Sequence, residues 1–430
     1  MLLLSACGEL PEWMGGSPPE VKHAPGERVN VVLSPNSLKP DDSVKDVAIE
    51  VPEQTNLAEW RSLNEAMLTA HVGLTGVTHE QSVTIGDGME FTRNVVSGPI
   101  VADGTVFAMD AAGTVSAHDE HDIRDVKWTS LANHTQSSTD VLGGGLAYAE
   151  KVLYVTNGNG TMRALVAATG QMKWSITIGA PVRGAPAVSD GILVVLTADN
   201  QTFAYDATNG APKWEHRGIR ESAGYFSTIS PVISDSTVIA CYSSGEMFAI
   251  RLETGSVLWN DTLANSARTK ASAVFSGIDA DPIVQDGVVV VTSSGEMQAS
   301  AVLNGRPLWQ EPIGAHSTPW SAGNALYVLS DTHDIAALLK RDGSVRWANS
   351  LAVKDKRDPS KDITPPLYGP ILSANSVIIL DGNGNLMSFK PTTGERIGSY
   401  ELASGIVTAP VIANGALYVI TKDAKLHKYY

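Results

Sequence analysis

The sequence predicts an all-β fold: an eight-bladed β-propeller of four-stranded antiparallel blades, closed by an N-terminal strand in the last blade. First, a glycine, three residues and a tryptophan recur at Gly170…Trp174, Gly210…Trp214, Gly255…Trp259, Gly305…Trp309 and Gly343…Trp347. Trp128 is a further copy with Arg124 in the glycine's place, and the tryptophans follow one another at steps of 46, 40, 45, 50 and 38 residues. A period in the forties with one tryptophan per unit is the signature of stacked four-stranded blades. Second, a proline, a short apolar run and an Asp-Gly or Asn-Gly turn recur ahead of the tryptophans. Third, the chain stops three strands into its eighth unit, while a spare strand candidate stands near its start, around Trp60.

Taken in order, residues 1–7 read as the end of a truncated lipoprotein signal. Leu4-Ser5-Ala6 before Cys7 resembles a bacterial lipobox, in which the cysteine is lipidated and becomes the mature N-terminus. The charged and most of the apolar parts of such a signal do not precede it, and the competing reading is a chance cysteine near a chain end. Residues 8–53 carry Pro11, Pro18, Pro19, Pro25, Pro35, Pro40 and Pro52 without periodicity. They read as an extended tether with a reach of roughly 35–40 Å as a flexible coil. No run approaches the ~20 apolar residues of a spanning helix, so the membrane is expected to be met through lipid alone.

Residues 54–430 are expected to form the propeller. Leu57–Trp60 looks like an isolated outer strand, and residues 64–94 like an insertion holding a short helix and a hairpin over Val77–Met89. Units then start near Ser97, Gly144, Ala185, Ser230, Asp281, Thr318, Gly369 and Ala409. In each, the proline suits a first strand residue, where no ladder donor is lost. The Asp-Gly or Asn-Gly pair accepts positive φ in a two-residue hairpin. A polar turn such as Asp199-Asn200 or Ser243–Gly245 leads to the third strand, and the glycine turn to the fourth. The eighth unit, ending at Tyr430, needs an N-terminal strand to complete it, which removes the open edges of the ring.

Trp60, Trp128, Trp174, Trp214, Trp259, Trp309 and Trp347 are expected to dock blade on blade, each burying a large apolar face worth roughly 3–5 kcal/mol. A ligand cage would need them in one place, and they are spread around a ring. The seventh unit breaks the pattern, with Ile397-Gly398 where the tryptophan would stand.

Formal net charge is −15, from 46 acidic and 31 basic residues. That argues against nucleic acid or anionic lipid as the main partner. The two cysteines, Cys7 and Cys241, give no disulfide framework, and Cys241 reads as a buried strand residue. Asp381-Gly-Asn383-Gly-Asn385 starts like a calcium loop, but Leu386 and Thr392 stand where the turn glycine and bidentate glutamate belong. His118-Asp119-Glu120-His121-Asp122 holds metal-friendly residues in what reads as a strand connection, where a solvated charge run is the default. No metal, no cofactor and no catalytic residue is assigned.

The turns Ala168-Thr169-Gly170…Trp174, Asp206-Ala207…Gly210…Trp214 and Glu253-Thr254-Gly255…Trp259 resemble the tryptophan-docking repeat of pyrroloquinoline-quinone-type propellers, from Trp60 to Tyr430. That superfamily holds both quinone-dependent dehydrogenases and non-catalytic scaffolds. The dehydrogenases show vicinal cysteines, a calcium site and a catalytic aspartate; adjacent cysteines do not occur here. A quinone-dependent dehydrogenase or small-ligand-binding propeller therefore stands as the alternative to a scaffold.

The lipobox, the eight blades and the chain length together resemble the BamB family of outer-membrane assembly lipoproteins. That resemblance implies a non-enzymatic scaffold on the periplasmic face of a Gram-negative outer membrane, within the β-barrel assembly complex. It implies docking on the POTRA domains of BamA, with unfolded outer-membrane proteins as further clients. Two interblade loops carry the contact. Arg217–Ala223 is similar to the family's first loop, giving Ile219, Arg220 and Glu221; Gly277–Pro282 is similar to its second, giving Asp279 and Asp281. An arginine with an apolar neighbour is a common hot-spot composition. The competing reading is an Arg220–Asp279 surface pair of little energetic value.

Overall fold

Short strands punctuated by positive-φ turns fold as hairpins, and each repeat here joins two hairpins in series. The computed structural model describes residues 38–63, 65, 69–89, 97–131, 143–220, 228–263, 277–278, 280–358 and 361–430. From residue 37 onward the chain is one compact unit. It contains eight four-stranded antiparallel sheets, the blades. Blade one runs outward through Ile100–Ala102, Thr105–Met109, Val115–Asp119 and Val126–Ser130. Blades two to seven begin at Gly144, Ala187, Val232, Ile283, Trp320 and Leu367. The first turns hold positive φ at both central residues, 48° and 63° at Asp103-Gly104 and 48° and 74° at Asn414-Gly415, which matches the twist of the flanking strands. Second strands such as Thr105–Met109 and Ile192–Leu196 are buried throughout, whereas outer strands such as Met172–Thr177 alternate towards solvent. The core therefore lies between neighbouring blades.

The last blade combines Val411–Ala413, Ala416–Ile420 and Lys425–Tyr429 with an N-terminal strand, so the ring is closed as the sequence predicts. That strand is Glu80–Thr84, with Glu80 opposite Tyr429 and Thr84 opposite Lys425. The expectation that it lies around Trp60 is corrected. Trp60 exchanges both backbone hydrogen bonds with Val101 of blade one, at 2.8 and 3.0 Å. Its buried indole stacks on Trp320 of blade six with centroids 6.2 Å apart. It therefore braces blades one and six and is not an outer-strand clip.

The described residues among 38–63 and 69–75 lie against the propeller, mostly over the first turns of the blades. The Asn324 side chain brackets Glu50 N–H and the Ala48 carbonyl, Asn414 N–H donates to Leu57 O, and Thr75 N–H donates to Gly415 O. The final third of the stretch that its prolines mark as tether is thus already laid on blade six.

Six further tryptophans sit on outer strands. The indole N–H groups of Trp128, Trp174, Trp214, Trp259, Trp309 and Trp347 donate to the carbonyls of Ala167, Ala207, Leu252, Val302, Lys340 and Pro391, at 2.6–3.1 Å. Every acceptor belongs to the following blade and lies just ahead of its glycine turn. Between blades eight and one the device changes. In blade six Ala337 pairs with Trp347, and at the equivalent place blade eight pairs Lys428 with Gln81. Lys428 Nζ donates to Glu120 O at 2.6 Å, while Gln81 takes Ile123 N–H at 3.1 Å and donates to His121 O at 3.2 Å. The two polar side chains replace an indole.

Candidate functional site: an interblade face at blades three and four

Trp214 lies within the outer strand Pro212–Arg217 of blade three, after which the chain turns towards blade four. Gly218 lies flat against the buried Tyr242 ring; a Cβ there would meet Cδ2 at 2.4 Å, so only glycine fits. The Tyr242 hydroxyl is hydrogen-bonded to Thr202 Oγ1 at 2.6 Å and to His216 Nδ1 at 2.9 Å, and Phe248 completes the aromatic floor. Burial pushes the Tyr242 hydroxyl pKa up and that of the His216 imidazole down, so both are neutral near pH 7.

On this floor the backbone of Ile219 is clamped at both ends. Its N–H donates to Glu246 Oε2 at 2.6 Å, and its carbonyl accepts from Asn200 Nδ2 at 2.9 Å. Glu246 is held by Ser244 Oγ at 2.7 Å; Asn200 Oδ1 accepts from the Ser243 amide and hydroxyl at 3.2 and 3.0 Å. The turns Asp199-Asn200 and Ser243–Gly245 thus grip the interblade loop from either side. What they hold out to solvent is Ile219, 62% exposed, and Arg220, whose side chain is 72% exposed. Arg220 touches Asp199 at 3.5 Å, an exposed pair worth at most about 1 kcal/mol. It is easily given up to a partner's carboxylate.

Asp281 uses its carboxylate within the protein. It is half-buried at the entry to blade five, and its Oδ1 accepts the Ser230 amide at 2.6 Å. Its own amide donates to Thr318 Oγ1 at 3.1 Å, and Ala185 N–H donates to Ser230 Oγ at 3.1 Å. These are the residues before the first-strand prolines, linked in series from blade three to blade six. Desolvation raises the Asp281 carboxyl to about 6, against the lowering effects of the Ser230 amide and the Arg183 guanidinium. Cys7, Glu221 and Asp279 lie outside the described residues.

Asn200, Glu246 and Tyr242 are the site residues that sequence reasoning missed. Asn200 had one available signal: it occupies the positive-φ position of its turn, φ 59°, so its side chain is fixed by a strained backbone. Elsewhere, among the described residues no group of three or more His, Cys, Asp and Glu side chains could hold a metal ion. His118 uses both ring nitrogens on Ile123 O and Ser116 Oγ, at 2.7 and 2.8 Å. Asp381 Oδ1 accepts the amides of Asn383 and Asn385, closing an interstrand turn.

The family model described as outer membrane protein assembly factor BamB matches residues 112–349, more than half of the chain. The chain belongs to that family. The BamB of Yersinia pestis is 24% identical over 332 residues, covering 76% of this chain and 82% of its own. That of Shewanella oneidensis is 22% identical over 353 residues, covering 80% and 87%. Among solved structures, BamB from Moraxella catarrhalis superposes with a TM-score of 0.69 at 17% identity, covering 83% of this chain and 99% of its own. A quinohemoprotein alcohol dehydrogenase from Comamonas testosteroni also superposes, with a TM-score of 0.63 at 16% identity, covering 86% and 80%. At such identities these structures establish the shared propeller alone. The BamB relatives are outer-membrane assembly factors by name, a non-enzymatic description.

Proposed function

We propose that this chain is a non-catalytic periplasmic scaffold of outer-membrane β-barrel assembly, held to the membrane by lipid on Cys7 and docked on the POTRA domains of BamA through Ile219 and Arg220. The observation that carries the reading is the pairing of an exposed apolar residue and an exposed arginine on a backbone clamped by Glu246 and Asn200. A surface held rigid before contact loses little entropy on binding. Isoleucine supplies apolar area, and the guanidinium supplies a directional fork for a carboxylate. Glu221 and Asp279 complete the proposed contact; Asp281 supports it from within by fixing the entry of blade four. The scaffold thereby positions the insertion machinery and its unfolded clients.

Copurification from detergent-solubilised outer membranes tests this. Arg220→Glu is expected to lose BamA while keeping the fold, read by circular dichroism. Retention of BamA by the folded variant would exclude this face.

A further inference from the structure

A cavity of about 370 Å³ opens between blades five and six, with Val47 of the N-terminal segment on one wall. The size is within the usual range for small-molecule pockets, roughly 300–1,000 Å³. Its lining is mainly aliphatic, including Val290, Leu308, Leu326 and Leu339. Two positions make it unlike the other blade junctions, and both are departures from the repeat itself.

The last residue of the first strand is alanine or serine in seven blades: Ala102, Ala149, Ser189, Ser234, Ala322, Ser373 and Ala413. In blade five it is Gln285. The residue that accepts the preceding blade's indole is Ala167, Ala207, Leu252 and Val302 in blades two to five, and Pro391 in blade seven. In blade six it is Lys340. The two departures meet: Lys340 Nζ donates to Gln285 Oε1 at 2.8 Å, and Ser321 Oγ donates to the same oxygen. A half-buried ammonium thus stands where the repeat packs an aliphatic side chain, and it lines the cavity.

Burial pushes the Lys340 pKa down, with Asp286 opposing it, so the ammonium is incompletely compensated. The charged lining residues are Lys340, Arg341 and Asp286, a net positive cavity in a chain of net charge −15. Arg341 is paired outward with Asp342 at 2.8 Å, which leaves Lys340 as the inner cation.

We propose that this cleft binds a medium-chain monocarboxylate amphiphile, its carboxylate on Lys340 and its alkyl chain along Val290, Leu326 and Leu339. A long aliphatic wall with one cation suits an anion with a single tail. A neutral ligand would leave the ammonium unmatched, and a polyanion would meet Asp286.

The test is calorimetric titration of the full chain with decanoate and with 1-decanol, both below their aggregation concentrations. Decanoate is expected to bind saturably at one site, with decanol at least about tenfold weaker. Lys340→Met is expected to weaken decanoate at least about tenfold and leave decanol unchanged. Gln285→Ser with Lys340→Val installs residue types of the other blades, keeps the fold, and is expected to abolish decanoate binding. Absence of saturable decanoate binding, equal affinity for decanol, or full affinity in either folded variant would overturn the proposal.

Discussion

The indole of Trp128 lies directly on Gly170 of the next blade: a Cβ at Gly170 would stand 2.6 Å from Cε3 of the ring. The same contact joins Trp174 to Gly210, Trp214 to Gly255, Trp259 to Gly305, Trp309 to Gly343 and Trp347 to Gly394. Each glycine therefore serves two ends at once, a turn with φ near 70° and a seat for the neighbour's ring.

That double role is separable. Gly305→Ala and Gly287→Ala impose the same left-handed strain, with φ of 70° and 75°, but only the first meets a ring, since nothing lies within 4 Å of a Cβ at 287. Gly287→Ala is expected to lower stability by about 1 kcal/mol, and Gly305→Ala by a further ~1–3 kcal/mol for overpacking. Urea midpoints measured side by side check the difference.

At the junction of blades eight and one, polar side chains stand where an indole would, which predicts a dependence on them. Lys428→Met strips Glu120 O of the ammonium that it holds at 2.6 Å. The variant is expected to lose about 1–3 kcal/mol of stability. Hydrogen exchange of the Glu80–Thr84 amides should accelerate ahead of the rest of the ring, because those amides close it.

Asp281 predicts a pH dependence of a definite sign. Its folded-state value of about 6 lies above the ordinary aspartate value of 3.8, so between these the folded state binds the extra proton. Stability contributed by this group is fully present below about pH 4 and is lost as pH rises towards 6. Asp281→Asn keeps an acceptor for Ser230 and is expected to flatten the stability profile across that window, measured as the difference from the unmodified chain. A difference that grows in the opposite direction would contradict the assignment.

Much of this architecture was legible because it rests on residues with one available job. Glycine at φ near 70° and tryptophan every fortieth residue or so recur only if blades stack. The departures were legible as departures, and the structure supplies their reasons. Arg124 is tolerated because blade eight sends no indole onto it. Blade seven needs no tryptophan, since the third and fourth strands of blade eight come from opposite ends of the chain and offer no turn as a seat. The closing strand was missed for the same cause: Gln81 stands in the tryptophan's place, so Glu80–Thr84 carries none of the repeat's marks. Trp60 drew the assignment instead by its residue type. At the candidate site, exposure of Ile219 and Arg220 suits the loop reading. The acidic character of Asp281 alone does not show that a strand-entry amide claims its carboxylate.

The scaffold reading makes its own forecast against the quinoprotein alternative. Addition of pyrroloquinoline quinone with calcium is expected to produce neither a bound chromophore nor a rise in melting temperature. Saturable stabilisation by the quinone would require a ligand site on the propeller axis.

The most direct measurement is the affinity of the purified chain for the purified POTRA domains of BamA, by calorimetry, with Ile219→Asp and Arg220→Glu as variants. A folded Arg220→Glu chain is expected to lose about 2 kcal/mol, roughly thirtyfold in affinity, and Ile219→Asp a similar amount. Unchanged affinity in both variants would contradict the docking role of this face.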